Sequence, residues 1–141
     1  CGSWIKHCGW YPDKKIRIFN KQSVKWQGEL VHETLFLPEN TQIIPLKGDL
    51  LHYSYKNTSS HLQQFDKFTT LTAQEAHKNG KKVSLFGLYF RPKWKFLKDY
   101  IFKLGFLDGY AGYQVCKLSA TATFLKYAKL KELNDNENTN K

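Results

Sequence analysis

Methionine is absent from the 141 residues, and the chain opens on Cys1-Gly2-Ser3-Trp4. A natural translation product starts with Met, so we expect this to be a piece of a longer protein. No apolar run approaches the roughly 18–20 residues that cross a bilayer. The three cysteines are an odd number and form no Cys-x-x-Cys pair. Their spacing argues against a disulfide scaffold and favours a reducing compartment.

Several catalytic motifs are also missing. The sequence contains no Gly-rich phosphate loop, no Gly-x-Ser-x-Gly and no catalytic-cysteine context. Acidic residues are scarce: 12 Asp and Glu face 22 Lys and Arg, a net charge of +10. A basic domain favours an anionic partner such as nucleic acid, nucleotide phosphates or an acidic membrane surface. The alternative is a lysine-rich surface that only interacts with water.

Hydrophobic patterning predicts one α+β domain in which β-strands come first and amphipathic helices follow. Residues 1–56 form the β-rich part, with strands predicted at 15–19, 24–26, 30–36, 41–46 and 50–55. Residues 57–131 form the helical part. Residues 132–141 are rich in Asn and Glu, and we expect a disordered tail.

Three helices are predicted within residues 57–131. The first opens with the capping-box pattern Ser60-x-x-Gln63 and closes at Asn79-Gly80. The second begins at Arg91-Pro92, because proline is tolerated in a first turn. The third runs from Tyr110 to Leu130.

The second predicted helix has two faces. Its apolar arc consists of Trp94, Leu97, Tyr100, Ile101 and Leu104, and the opposite arc is mainly lysine. Phe96 and Phe102 fall at the edges of the polar arc. The segment 92–104 therefore suits either a membrane surface, with lysines at the headgroups, or ordinary packing of the apolar arc on a sheet.

Two adjacent side chains in the strand 30–36 are the best candidates for proton transfer or metal ligation. His32 and Glu33 point to opposite faces of a regular strand, and Glu33 shares an apolar face with Val31 and Leu35. A carboxylate on such a face is either paired or functional. The alternatives are a salt bridge for Glu33 and a hydrogen-bonded structural role for His32. His52 lies among apolar residues of another strand, where a structural histidine is more common than a ligand.

A dense aromatic and polar group near the N-terminus is the candidate binding surface. It includes Trp10, Tyr11, Arg17 and Trp26, with Trp4 and His7 nearby. Such clusters suit sugar rings, which stack their C–H faces on aromatic rings, and single-stranded nucleic acid. The alternative is a core built from tryptophans.

Several motifs in order resemble a known family. They are residues 4–13 (WIKHCGWYPD), 16–19 (IRIF), 31–33 (VHE), 48–53 (GDLLHY), 103–109 (KLGFLDG) and 124–127 (FLKY). Together they resemble the C-terminal half of family 2 glycosyltransferases, and most closely the bacterial branch that extends the lipopolysaccharide core with β-1,4-linked glucose. The resemblance covers most of residues 4–130.

The resemblance implies a fragment of an A-type, Rossmann-like fold that supplies the acceptor side and the general base. Glu33 would match the base, His32 or His52 a histidine of the metal or diphosphate site, and Trp10, Tyr11, Arg17 and Trp26 the acceptor surface. The family binds its nucleotide sugar and a divalent cation, Mg²⁺ or Mn²⁺, through Asp-x-Asp in the other half. This sequence has no Asp-x-Asp, so the donor-binding half is expected to be missing and the fragment alone inactive.

The implied acceptor is a glycolipid, and the implied location is cytoplasmic and peripheral on the inner membrane, with no nucleic acid bound. Exposed strand edges would also allow a homo-oligomer. Two alternatives come from other classes. One is a basic module that binds nucleic acid or anionic lipid without catalysis. The other is an interaction fragment with no site, expected if Glu33 and both histidines are fully paired in the core.

Overall fold

The computed structural model describes residues 3–27 and 34–139, which fall into two compact units. The strand unit is Lys14–Ser54. The helical unit combines Cys1–Asp13 with Tyr55–Lys141. The chain is mainly helical with one small sheet, and a single helical unit takes its residues from both ends of the sequence.

The strand unit contains one small antiparallel sheet. Its strands are β1 (Lys25–Gln27) and β2 (Thr34–Phe36), and Trp26 lies opposite Leu35. The predicted strands at 15–19, 41–46 and 50–55 are not strands in the structure, and residues 30–33 lie outside the described residues. A strand is stable only when its backbone groups find partners, and within the described part of this unit only β1 and β2 pair.

The first helix, α1, spans Thr58–Lys78. Its capping box starts at Asn57 rather than at Ser60. The Asn57 side chain accepts a hydrogen bond from the Ser60 backbone N–H at 2.8 Å, and the Ser60 hydroxyl accepts one from the Asn57 N–H at 3.3 Å. Asn79 caps the end of α1, and Gly80 follows with φ +67°, as the Asn-Gly pair predicts.

The second helix, α2, spans Leu85–Leu97 and begins six residues before the predicted Arg91 start. Ser84 caps it by accepting a hydrogen bond from the Gly87 N–H at 3.1 Å. Pro92 therefore lies inside the helix and not in its first turn. A π-helical turn, Lys98–Phe102, follows α2 directly.

The orientation of α2 and the π-helical turn differs from the predicted division into an apolar and a polar arc. Asp99, on the predicted polar arc, is only 2% exposed. Four members of the predicted apolar arc are about half exposed: Trp94, Leu97, Ile101 and Leu104. The membrane-surface and sheet-packing alternatives for the segment 92–104 both stay predictions. Asp99 can be buried because the Lys95 ammonium lies 2.8 Å from its Oδ2 and the Lys103 ammonium 3.3 Å from its Oδ1.

A short 3₁₀ turn, Gly105–Asp108, leads into the long helix α3, Gly109–Thr139. Helix α3 packs against both α1 and α2. The core between α1 and α3 is built from Ala73, Ala76 and Leu130. No helix in the described part of the chain is both long and apolar enough to cross a membrane.

Helix α3 continues well past the predicted end at Leu130, so residues 132–139 are helical where a disordered tail was expected. Contacts explain the extension. The Asn134 side chain hydrogen-bonds His77 at 2.9 Å and donates to the Lys81 carbonyl at 3.3 Å. Leu133 packs against the core between α1 and α3.

Helix α3 and the 3₁₀ turn approach each other closely at Gly112. A Cβ added to Gly112 would collide with the backbone carbonyl oxygen of Gly105 and lie 2.8 Å from the Cβ of Asp108. A carbonyl fixed in a turn cannot move aside as a flexible side chain can. Gly112 is therefore required for this packing.

We expect Gly112→Ala to lower the free energy of unfolding by about 1–3 kcal/mol, the usual cost of overpacking, in urea denaturation. Gly87→Ala is the matched control. Its added Cβ would lie 3.4 Å from its nearest neighbours in α2, and alanine favours a helix by up to about 1 kcal/mol. Equal effects of the two substitutions would contradict the close approach.

Candidate functional site

The predicted base and one predicted ligand cannot be placed, because His32 and Glu33 lie outside the described residues. His52 lies in the strand unit with an exposed side chain, and its carbonyl accepts a hydrogen bond from the Ser54 N–H at 3.1 Å. Within residues 3–27 and 34–139 no three His, Cys, Asp or Glu side chains gather to hold a metal ion. The roles of these three residues stay predictions.

The four predicted acceptor-binding residues divide between the two units. Arg17 and Trp26 belong to the strand unit and are exposed. Trp26 is 63% exposed and meets Phe19 edge-on with 6.2 Å between ring centroids. Trp10 and Tyr11 belong to the helical unit, where Trp10 is half-buried and Tyr11 exposed. Their grouping into one surface stays a prediction.

Trp10 is positioned by a junction between the N-terminal segment and the 3₁₀ turn. The backbone N–H groups of Lys6 and His7 donate to Asp108 Oδ2 at 3.1 and 2.8 Å. The His7 Nδ1 lies 2.7 Å from Asp108 Oδ1. The Cys8 N–H donates to the Lys103 carbonyl at 3.1 Å. Charge-assisted hydrogen bonds of this kind are stronger than neutral ones, so Asp108 fixes the path of the segment.

Sequence reasoning missed the role of Asp108. The motif 103–109 marked a tight connection, but about a hundred residues separate His7 from Asp108. No local pattern reports a pairing over such a distance.

Two buried cysteines complete this junction. Cys8 is 3% exposed and Cys116 is fully buried, and both are free thiols. Burial raises the pKa of both thiols, and the neighbouring Cys116 thiol further raises the pKa of Cys8. The Cys8 thiol donates to the Gly112 carbonyl at 3.7 Å. Protonated thiols are poor nucleophiles, so both cysteines serve packing.

Trp10 borders an aromatic box around His61, near the start of α1. The His61 ring stacks on Tyr55 with 3.6 Å between centroids and contacts Phe65 at 4.2 Å. Trp10 meets His61 edge-on at 6.4 Å. His61 is 2% exposed, and its Nε2 has no hydrogen-bond partner among the described residues. Burial lowers the pKa of His61, which keeps the ring neutral near pH 7. Sequence reasoning assigned His61 nothing.

A groove of about 280 Å³ continues from this box between α1 and α3. The α1 side carries both aromatic rings and threonines, and the α3 side carries Thr123 and Lys126. The lining residues are Tyr55, Phe65, Phe68, Thr69, Thr72, Ala122, Thr123 and Lys126. Rings beside hydroxyl groups suit a saccharide, whose C–H faces stack while its hydroxyl groups bond. In the helical unit this groove is the candidate saccharide site.

The chain is similar to proteins that are named glycosyltransferases. The chain is 28% identical over 128 residues to a Rickettsia typhi protein named an uncharacterized glycosyltransferase, with 86% of this chain and 44% of that protein covered. A Rickettsia prowazekii protein with the same description is 27% identical over the same length and coverage. A Rickettsia felis protein, also so named, is 25% identical over 127 residues, 85% of this chain and 45% of that protein.

These similarities support a relationship to glycosyltransferases. The chain spans less than half the length of the curated relatives it matches. No family model matches the chain. No solved structure matches it with significance, so the A-type fold stays a prediction.

The buried His61 makes stability depend on pH. Its pKa is below the ordinary value of 6.5 in the folded state, so below about pH 6.5 the unfolded chain binds a proton that the folded chain does not. The free energy of unfolding should therefore fall as the pH drops from 7.5 to 5.5, by at most about 1.4 kcal/mol per pH unit for one proton. The rings packed on His61 carry no charge at these pH values.

Urea denaturation at the two pH values measures this effect. His61→Phe should remove much of the pH dependence. His52→Gln changes an exposed histidine and should leave it in place. A His61→Phe protein with an unchanged pH dependence would show that His61 is not the responsible group.

Proposed function

We propose that the chain is the acceptor-side part of an inverting family 2 glycosyltransferase that transfers a hexose, glucose in the branch it resembles, from a nucleotide sugar to a glycolipid of the lipopolysaccharide-core type. The observation that carries the proposal is similarity to named glycosyltransferases over 86% of the chain. The ordered motifs of residues 4–127 supply the family and the branch.

A second part of the enzyme would bind the donor. The relatives are more than twice as long as the matched region, and this sequence has no Asp-x-Asp motif. The strand unit leaves large apolar side chains more than half exposed: Ile18, Ile43, Ile44, Leu46, Leu50, Leu51 and Tyr53. Exposed apolar surface of this extent marks an interface. We expect a larger sheet from the donor part to cover these apolar side chains. Alternatively, a second copy of the chain covers them.

Glu33 is the proposed general base. Its carboxylate takes the proton of the acceptor hydroxyl while that oxygen bonds to the anomeric carbon. The bond from the anomeric carbon to the nucleotide diphosphate breaks, and the diphosphate leaves with the electron pair. His52 is exposed and the described residues form no metal cluster, while His32 and Glu33 lie outside them, so the metal roles of His32 and His52 stay predictions. The Mg²⁺ or Mn²⁺ ion of such an enzyme belongs with the donor part.

The groove between α1 and α3 is the proposed place for acceptor saccharide in the helical unit. Phe68 is 41% exposed and presents its ring to the opening. The Lys126 ammonium supplies hydrogen-bond donors on the other side. The groove binds saccharide without taking part in the chemistry, which is assigned to Glu33.

Glu33→Gln in the protein with its donor part restored tests the base. We expect kcat to fall by about 10²–10⁴, the usual contribution of a general base, with a smaller change in KM. Transfer of radiolabelled sugar from a nucleotide sugar to extracted glycolipid is the measurement.

Glu39→Gln is the matched control, since Glu39 is an exposed carboxylate of the same unit, and it should leave kcat unchanged. The 141-residue chain alone should show no transfer with Mg²⁺ or Mn²⁺ present. Turnover by the chain alone, or an unaltered kcat in Glu33→Gln, would refute the assignment.

A further inference from the structure

Helix α2 presents an unusual row of aromatic rings to solvent. Phe86, Phe90 and Trp94 recur every four residues and stack in parallel, with centroids 5.3 and 6.4 Å apart. Phe102 extends the row, 5.9 Å from Trp94. These four residues, here called the aromatic ridge, are 75%, 50%, 47% and 66% exposed, respectively. Such a contiguous apolar patch on a soluble surface marks a binding face.

Aliphatic and aromatic neighbours widen the ridge. Leu85 and Tyr89 are each about 60% exposed, and Leu97 and Ile101 are each more than 40% exposed. Other side chains make the aromatic contacts with α3. Phe96 of α2 and Tyr100 of the π-helical turn meet Tyr113 of α3 at 5.8 Å each.

The charges on this face have one sign. Leu85–Leu97 contains Arg91, Lys93 and Lys95 and no acidic residue. The nearest carboxylate along the chain, Asp99, is 2% exposed and paired with Lys95 and Lys103. The cations require a partner with negative charge, and the aromatic ridge requires one with an apolar layer. A bilayer containing anionic lipid satisfies both features.

A cationic groove beside the ridge suits the phosphate of a lipid headgroup. The groove encloses about 440 Å³ between α2 and α3. The Arg91 guanidinium is held over the Tyr127 ring, 4.6 Å from its centroid, and donates to the Tyr127 hydroxyl at 2.5 Å. One Arg91 donor is thus used to orient a guanidinium that has five. The exposed Lys98 lies on the same groove.

We propose that α2 is a membrane-docking helix that inserts the aromatic ridge into the interface of an anionic phospholipid bilayer, with Arg91 and Lys98 binding headgroup phosphate. Docking of this kind requires no saccharide and no catalysis, so it is independent of the proposed glycosyl transfer. It would hold the chain where lipid-linked acceptors are found.

Co-sedimentation of the 141-residue chain with lipid vesicles tests the proposal. One set of vesicles contains equal parts of phosphatidylglycerol and phosphatidylcholine, and the other phosphatidylcholine alone. We expect strong binding to the anionic set, weak binding to the neutral set, and loss of binding as NaCl is raised, because salt screens surface charges. Equal binding to both sets would overturn the proposal.

Two variants separate the contributions. Phe86→Ser with Phe90→Ser should weaken binding to anionic vesicles by about tenfold or more, since two exposed rings no longer enter the interface. Arg91→Gln with Lys98→Gln should weaken it by about fivefold per cation, the equivalent of about 1 kcal/mol each. All four residues are exposed, so circular dichroism should show an unchanged fold.

Matched controls remove equal numbers of rings and charges elsewhere. Tyr53→Ser with Tyr110→Ser deletes two exposed rings, and Lys56→Gln with Lys67→Gln deletes two exposed lysines. Both controls should bind within twofold of the parent. If the control variants bound anionic vesicles as weakly as the α2 variants, the loss of binding would follow from overall charge and hydrophobicity and not from α2. That result would overturn the proposal. Binding to single-stranded nucleic acid without binding to vesicles would also overturn the membrane-docking proposal.

Discussion

Two buried carboxylates in the turns after α2 hold separate segments of the helical unit together. Asp99 is 2% exposed and holds Lys95 and Lys103, while Asp108, whose side chain is 6% exposed, holds the backbone of Lys6 and His7. An unpaired buried charge costs several kcal/mol, so these partners are required by the fold. The N-terminal segment therefore becomes part of the helical unit, although about a hundred residues separate His7 from Asp108.

Asp99 lies inside with Lys95 and Lys103 beside it, and each of these lysine side chains is 39% exposed. The aromatic ridge lies in solvent. The exposed surface of α2 has aromatic rings and cationic side chains, and Leu85–Leu97 contains no acidic residue. This combination of groups determines which partners can bind there.

Local features of the helical part followed from the sequence. The Asn79-Gly80 ending of α1 and the general position of α3 were both visible in propensity and periodicity. The start of α2 was misplaced because proline was given the first turn, while Ser84 supplies a cap earlier in the chain. The tail was expected to be disordered because its contacts to His77 and Lys81 are not local.

The candidate site was harder to predict from the sequence than the helices. His61 became notable only when Tyr55, Phe65 and Trp10 were found around it. The predicted strands 15–19, 41–46 and 50–55 are not strands in the structure. A strand needs a partner strand, and the described residues provide none for these three segments. The role of Glu33 depends on sequence resemblance, since that residue lies outside the described part of the chain.

Native-state hydrogen exchange most directly tests whether the junction at Asp108 organises the helical unit. The amide protons of Lys6, His7 and Cys8 donate to Asp108 and Lys103, so all three should exchange as slowly as amides in the middle of α3 and open only with global unfolding. Exchange of these three amides at the rate of an unstructured peptide, while α3 stays protected, would contradict the account.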